Sequence, residues 1–376
     1  MGSLLLFLSG GLFLGWSLGA NDAANVFGTA VATRMVRFTL AAAISSIAVI
    51  AGAVYAGAGA AGTLGRLGAI TALPGAFTVT LAAALSVFFM TRASLPVSTS
   101  QAVVGGILGW NIYAGHAVDY TVLIDILTSW VLSPIIAAVI GFILFYFIRF
   151  LIKHLSIHIM RRDLYTRIAL IISGAFGAYS LGANNIGNVM GVFVPISPFP
   201  DITVLAGLEF SGAQMLFLLG GMAISAGIFT YSKRVMETVG SDIFKLSPIT
   251  AFIVVLSSGI VLFLFASEGL HDWLVQSGLP ALPLVPISSS QAVVGSVVGI
   301  GFARGMQNIR YKLLAKIGAG WATTPLVAGA LCFLLLFFME NLFPPECAAK
   351  QSAGTREVNL PSPPLVLKIF KQLNSL

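Results

Sequence analysis

Long apolar runs follow one another through almost the whole chain, at about 3–33, 38–61, 69–92, 99–115, 121–150, 166–195, 212–232, 248–267, 287–303 and 314–340. Most approach the roughly 20 residues that a helix needs to cross a hydrocarbon core. In lipid every backbone N–H and C=O must be satisfied within the protein, so runs of this length predict transmembrane α-helices. Hydrophobic residues make up 57% of the chain and charged ones 9%, against about 25% charged in a soluble domain. The bilayer is therefore the expected environment. A net charge of +7 raises the question of nucleic acid, but the basic residues fall between apolar runs rather than on one amphipathic face. They predict topology, not nucleic-acid binding. Two cysteines, Cys332 and Cys347, are too few for a disulfide framework or a metal cage. No cofactor is expected, and no hydrophilic stretch is large enough for an ATPase, so the energy for any transport comes from a gradient. The first run continues into a polar motif and predicts a membrane helix rather than a cleaved leader.

The chain also repeats itself. Gly19-Ala20-Asn21-Asp22-Ala23-Ala24-Asn25-Val26-Phe27-Gly28 returns as Gly182-Ala183-Asn184-Asn185-Ile186-Gly187-Asn188-Val189-Met190-Gly191, and Pro96-Val97-Ser98-Thr99-Ser100-Gln101 returns as Pro286-Ile287-Ser288-Ser289-Ser290-Gln291. Two motifs in the same order at similar offsets mark a duplication. Each half holds five apolar segments, and the two that flank the Pro-Ser motif either span or form a re-entrant hairpin. The number of crossings per half is odd in both cases, so the second half starts on the opposite side of the membrane. The expected fold is an all-α polytopic membrane protein of two inverted-topology repeats with broken helices and re-entrant helical hairpins. Its expected divisions are a first repeat at 1–150, a basic cytoplasmic linker at 151–165, a second repeat at 166–343 and a tail at 344–376. With the linker inside, parity collects 14 of the 20 Lys and Arg residues on the cytoplasmic side, among them Arg34, Arg37, Lys233, Lys245, Arg310 and Lys312. Both termini are then extracytoplasmic.

The first motif puts Asn21, Asp22 and Asn25 in the middle of a membrane span, where an ionised Asp costs several kcal/mol and needs a partner. The Gly-Ala-Asn-Asp sequence is expected to open the helix there and free carbonyls, while the side-chain oxygens suit a hard cation such as sodium. Asn184, Asn185 and Asn188 repeat the geometry without the charge. Such amides also serve simply to join helices. After Pro96 and Pro286, Ser98, Thr99 and Ser100, with Ser288, Ser289 and Ser290, are N-cap residues of two apolar helices. Helix N-termini carry unpaired N–H groups and partial positive charge, so two of them can converge on one oxyanion. Gln101 and Gln291 add amide groups in the first turn. None of the four motifs contains Lys, Arg or His, so an anion beside Asp22 requires a co-bound cation. Arg92, four residues before Pro96, is the nearest basic candidate. An intramembrane hydrolase needs a base beside its serine, and the motifs offer neither His nor Lys, so no enzyme is expected.

These motifs resemble the inorganic phosphate transporter family, which includes bacterial phosphate carriers and sodium–phosphate symporters; Lys233-Arg234-Val235-Met236-Glu237-Thr238-Val239-Gly240 is similar to a segment of that family as well. The resemblance implies sodium-coupled phosphate symport by alternating access, at a multi-pass site in the plasma membrane and in a homodimer. It implies a phosphate site of Asp22, Asn25, Thr99, Ser100, Gln101, Asn185, Asn188, Ser289, Ser290 and Gln291. Sodium sites are implied at Asn21, Asp22, Ser98, Gln101, Asn184, Ser288 and Gln291. Many members carry His where this chain has Gln101 and Gln291, which favours sodium over protons. Sulfate or proton-coupled phosphate transport is the alternative within the family, and a passive anion channel the alternative outside it.

Overall fold

The computed structural model describes residues 2–68, 70, 72–92, 97–155, 158–204, 208–238, 246–305 and 311–342. Pro96, Lys245, Arg310, the Val239–Gly240 end of the Lys233 segment and the tail from Pro344 lie outside them. The described chain is almost wholly helical: α1 (Gly2–Ala32), α2 (Phe38–Ala56), α3 (Ala58–Gly68), α4 (Leu73–Arg92), α5 (Thr99–Ala114), α6 (Tyr120–His154), α7 (Ile159–Met190), α8 (Gly212–Thr230), α9 (Ser232–Thr238), α10 (Pro248–Ala266), α11 (Glu268–Gln276), α12 (Ser289–Ala303) and α13 (Tyr311–Leu342). A 3₁₀ turn, Gly191–Ile196, and a two-stranded hairpin, β1 (Ile202–Val204) with β2 (Leu208–Phe210), join α7 to α8. Eight of these helices are long and apolar enough to cross a membrane. The helices α5 and α12, with 16 and 15 residues, reach only about 24 and 22 Å at 1.5 Å per residue. That falls short of a hydrocarbon core of about 30 Å.

Those short helices are the return limbs of two hairpins. A Cβ on Gly106 would lie 3.1 Å from the Val79 carbonyl oxygen and one on Gly75 2.6 Å from the Trp110 ring, so α5 runs back antiparallel along α4. In the second hairpin Ser257 Oγ donates to Ser296 Oγ at 2.7 Å and Arg304 Nη2 to Thr250 Oγ1 at 2.9 Å, which sets α12 antiparallel to α10. The two sequence copies also pack as copies. A Cβ on Gly105 would sit 2.2 Å from the carbonyl oxygen of Pro325 in α13, and one on Gly295 would sit 2.2 Å from that of Pro134 in α6. Each return limb therefore leans on the last helix of the other half. Likewise a Cβ on Gly182 would run into the Val49 carbonyl, and one on its repeat partner Gly19 into the Ile224 carbonyl. Lipid gives apolar side chains no reason to separate from it, so close backbone approach through small residues is what holds such helices together.

The corresponding helices α1 and α7 cross at the centre and run antiparallel: Phe27 meets Gly174, Asp22 meets Asn185, and Gly11 meets Val189. One expectation is corrected here. Both α1 and α7 run unbroken through their Gly-Ala-Asn motifs, so no backbone carbonyls are freed there. The polar side chains find partners on other helices, which leaves the backbone no reason to open. The breaks fall instead at Gly57, between α2 and α3, and at Ser267, which ends α10 and caps α11. Residues 151–165 are mostly the facing ends of α6 and α7.

Candidate functional site

All four motifs meet where α1 and α7 cross the first turns of α5 and α12. Asp22 is buried, and three neutral donors satisfy its carboxylate. Ser289 Oγ donates to Oδ2 at 2.7 Å, Asn185 Nδ2 to Oδ2 at 3.2 Å, and Asn21 Nδ2 to Oδ1 at 3.2 Å. Asn25 Nδ2 in turn donates to Ser289 Oγ at 3.4 Å. On the other side Asn188 Nδ2 donates to Ser100 Oγ at 2.9 Å and to Asn185 Oδ1 at 3.2 Å. Asn184 Nδ2 donates to Asn185 Oδ1 at 3.0 Å, repeating the Asn21–Asp22 contact in the second copy. Ser98 and Ser288 are the N-caps, accepting from the backbone N–H groups of Gln101 and Gln291 at 3.4 and 3.3 Å. Ser290 Oγ pairs with Ser288 Oγ at 2.9 Å, and Thr99 is buried in the first turn of α5. Every phosphate- or sodium-site residue expected from the sequence thus lies in this one cluster. Arg92 does not: it is exposed at the end of α4.

The cluster is rich in acceptors. Besides the Asp22 carboxylate, the amide oxygens Gln101 Oε1, Gln291 Oε1 and Asn188 Oδ1 are buried without a hydrogen-bond partner among the described residues. A buried, unpaired amide oxygen costs about 1–3 kcal/mol, so three in one cluster leave it receptive to an electropositive group. Opposing them are the N-termini of α5 and α12, each equivalent to about half a positive charge. Oxygen acceptors of this kind suit a cation, and helix N-termini suit an oxyanion.

Sequence reasoning missed one participant, the backbone of Ile287. Its N–H donates to Asn184 Oδ1 at 2.9 Å, and its carbonyl accepts from Asn184 Nδ2 at 2.8 Å and Ser100 Oγ at 3.0 Å. A backbone group has no side-chain signature, so only its place just before the serine motif could have pointed to it. The extended segment leading to it is tied at Leu282, whose carbonyl meets His271 Nδ1 at 2.9 Å, and at Leu284, whose carbonyl accepts from Thr63 Oγ1. That segment borders a polar cleft with Arg66, Asp125, Glu268 and His271. A narrower pocket, with Asn25, Thr29, Leu246 and Val293, lies further along α1.

A family model described as the phosphate transporter family matches residues 18–331 and, in a second overlapping stretch, 279–374. The chain belongs to the phosphate transporter family. Among its relatives, a protein of Methanocaldococcus jannaschii named as a phosphate permease is 29% identical over 86% of this chain and 93% of its own length. The sulfate permease of Bacillus subtilis is 28% identical over 86% of this chain and 85% of its own. The fold is shared with a solved structure described as the sodium-dependent phosphate transporter, at a TM-score of 0.72 and 24% identity, covering 91% of this chain and all of that one. Membership of a transporter family sets aside an enzymatic use of the buried serines and Asp22.

Proposed function

We propose that this transporter carries inorganic phosphate across the bilayer together with sodium, by alternating access at the cluster around Asp22. One observation carries the reading: a buried carboxylate held only by neutral donors sits beside three unpaired buried amide oxygens. In low dielectric the carboxylate and an arriving phosphate would repel strongly, so a cation must enter with the anion. Sodium is a hard cation that takes oxygen ligands. Asp22, Ser98, Gln101, Ser288 and Gln291 supply them, with Asn21 and Asn184 bonded to Asp22 and Asn185 beside the set. The N–H ends of α5 and α12, with Thr99, Ser100, Ser289, Ser290, Asn25, Asn185 and Asn188, then face the oxyanion.

The same acceptors favour phosphate over sulfate. Phosphate keeps a P–OH near neutral pH and can donate to Asp22 or to a free amide oxygen, whereas sulfate has no proton to give. The Bacillus subtilis relative keeps sulfate as the second reading. The functional unit in this reading is two oppositely oriented halves, 1–150 and 166–343, in the plasma membrane with both termini outside, paired as a homodimer. The antiparallel crossing of α1 and α7 supports the opposite orientation.

The test is uptake into proteoliposomes, with radiolabelled phosphate and sulfate compared under inward sodium, potassium and proton gradients. Accumulation of phosphate driven by sodium, and poorly competed by unlabelled sulfate, is the expected outcome. Uptake driven equally by protons without sodium would replace the coupling ion. Flux without saturation or accumulation would make the protein a channel.

A further inference from the structure

The two copies of the site are in different states. In the second copy Asn184 grips Ile287 at both of its backbone groups, and Ser100 adds a third bond to the same carbonyl. The equivalent residues in the first copy are Asn21 and Val97. Among the described residues, Asn21 keeps only the contact common to both copies, the bond to the residue after it, and makes no hydrogen bond to Val97. Asn184 is fully buried while Asn21 is half-buried. The surroundings differ in the same sense. Asn25, Thr29 and Val293 line a pocket, whereas their repeat partners Asn188, Val192 and Val103 are all sealed in the interior.

We propose that Asn184 and Asn21 are positioning residues of the transport step: two latches, each able to clasp the backbone at the tip of one hairpin, that close in alternation. The structure holds the second hairpin latched through Ile287 and the first unlatched at Val97. Exchange of the two would close the pocket beside Asn25 and open its counterpart beside Asn188. The inference rests on the carrier reading above and deepens it, because a side chain that clasps in one copy and not in its duplicate is what a two-state device requires. It also gives Asn184 a different role from a sodium ligand: its oxygen already accepts the Ile287 N–H. Ser100 takes part as the contact through which one hairpin feels the other.

The test reads accessibility rather than transport. With Cys332 and Cys347 replaced by alanine, Ile287→Cys and Val97→Cys are labelled separately by a small maleimide in the reconstituted protein. Both substitutions leave the backbone groups in place. Asn184→Ala removes both hydrogen bonds to Ile287 and is expected to raise the labelling rate at position 287 by about tenfold or more, while lowering it at position 97. Asn21→Ala is expected to do the reverse or to leave position 287 protected. Asn184→Asp, which keeps the acceptor for the Ile287 N–H but loses the donor, should fall between. Equal increases at both positions with both Asn184 variants, or no change at position 287, would overturn the latch. Labelling needs neither phosphate nor sodium, so failure of the latch is read on labelling and failure of the symport reading on uptake, and the two are told apart.

Discussion

Asp22 and Asn185 occupy equivalent places in the two copies and touch one another, yet only one carries charge. That single carboxylate makes the pocket electrically asymmetric. Asp22→Asn keeps the shape and most of the hydrogen bonds, so the protein should fold and bind phosphate while sodium activation of uptake drops by at least about tenfold, as a shift of 1.4 kcal/mol or more would give. Unchanged sodium activation would take Asp22 out of the cation site. Ser289 makes the shortest bond to that carboxylate. Losing a hydrogen bond to a charged group costs about 1.5–3 kcal/mol, so Ser289→Ala should weaken coupled uptake by roughly ten- to hundredfold. Ser46→Ala, on α2 and away from the cluster, should leave uptake unchanged. The membership of the site was legible at this scale, because Asp, Asn, Ser and Gln in the middle of apolar runs have few other reasons to be there. Which of them bond to each other was not: Asn25 and Ser289 are 264 residues apart, and spacing along the chain says nothing about that pair.

Among the helices, the duplication and the two hairpins were readable from motif order and run length, while the small elements were not. The helices α3, α9 and α11 are short or weakly apolar, so neither run length nor motif order marks them. The unbroken α1 and α7 make the same point from the other direction, since polar partners from α5 and α12 remove the need for a helix to open. Packing at this scale rests on glycines that admit a neighbouring backbone. Gly105→Ala and Gly295→Ala each drive a methyl into a proline carbonyl 2.2 Å away. Overpacking of this kind costs about 1–3 kcal/mol, so each should lower the midpoint of thermal unfolding in detergent. Gly62→Ala, whose new methyl meets nothing within 4 Å, is the matched control.

For the whole molecule, the placement of charge sets orientation. If the positive-inside bias governs it, Ala117→Cys, beside the start of α6, should react with a membrane-impermeant thiol reagent in intact cells, and Lys233→Cys, on α9, only after permeabilisation. The reverse pattern would invert the protein in the membrane. The narrow, mostly apolar pocket reaches the cluster at Asn25, whereas the charged cleft lies along the segment that leads to Ile287.

By itself the sequence determined that this chain lives in lipid, that it is a duplication, and which side chains gather at its centre. Those facts depend on run length, composition and motif order, all local in the chain. Only the tertiary structure decided that the helices pass unbroken through the motifs, that a backbone group at Ile287 closes the second copy, and that the first copy stands unclasped. Those are matters of which distant groups find each other, and identical side chains in two copies make different bonds when the surrounding helices are not in the same position.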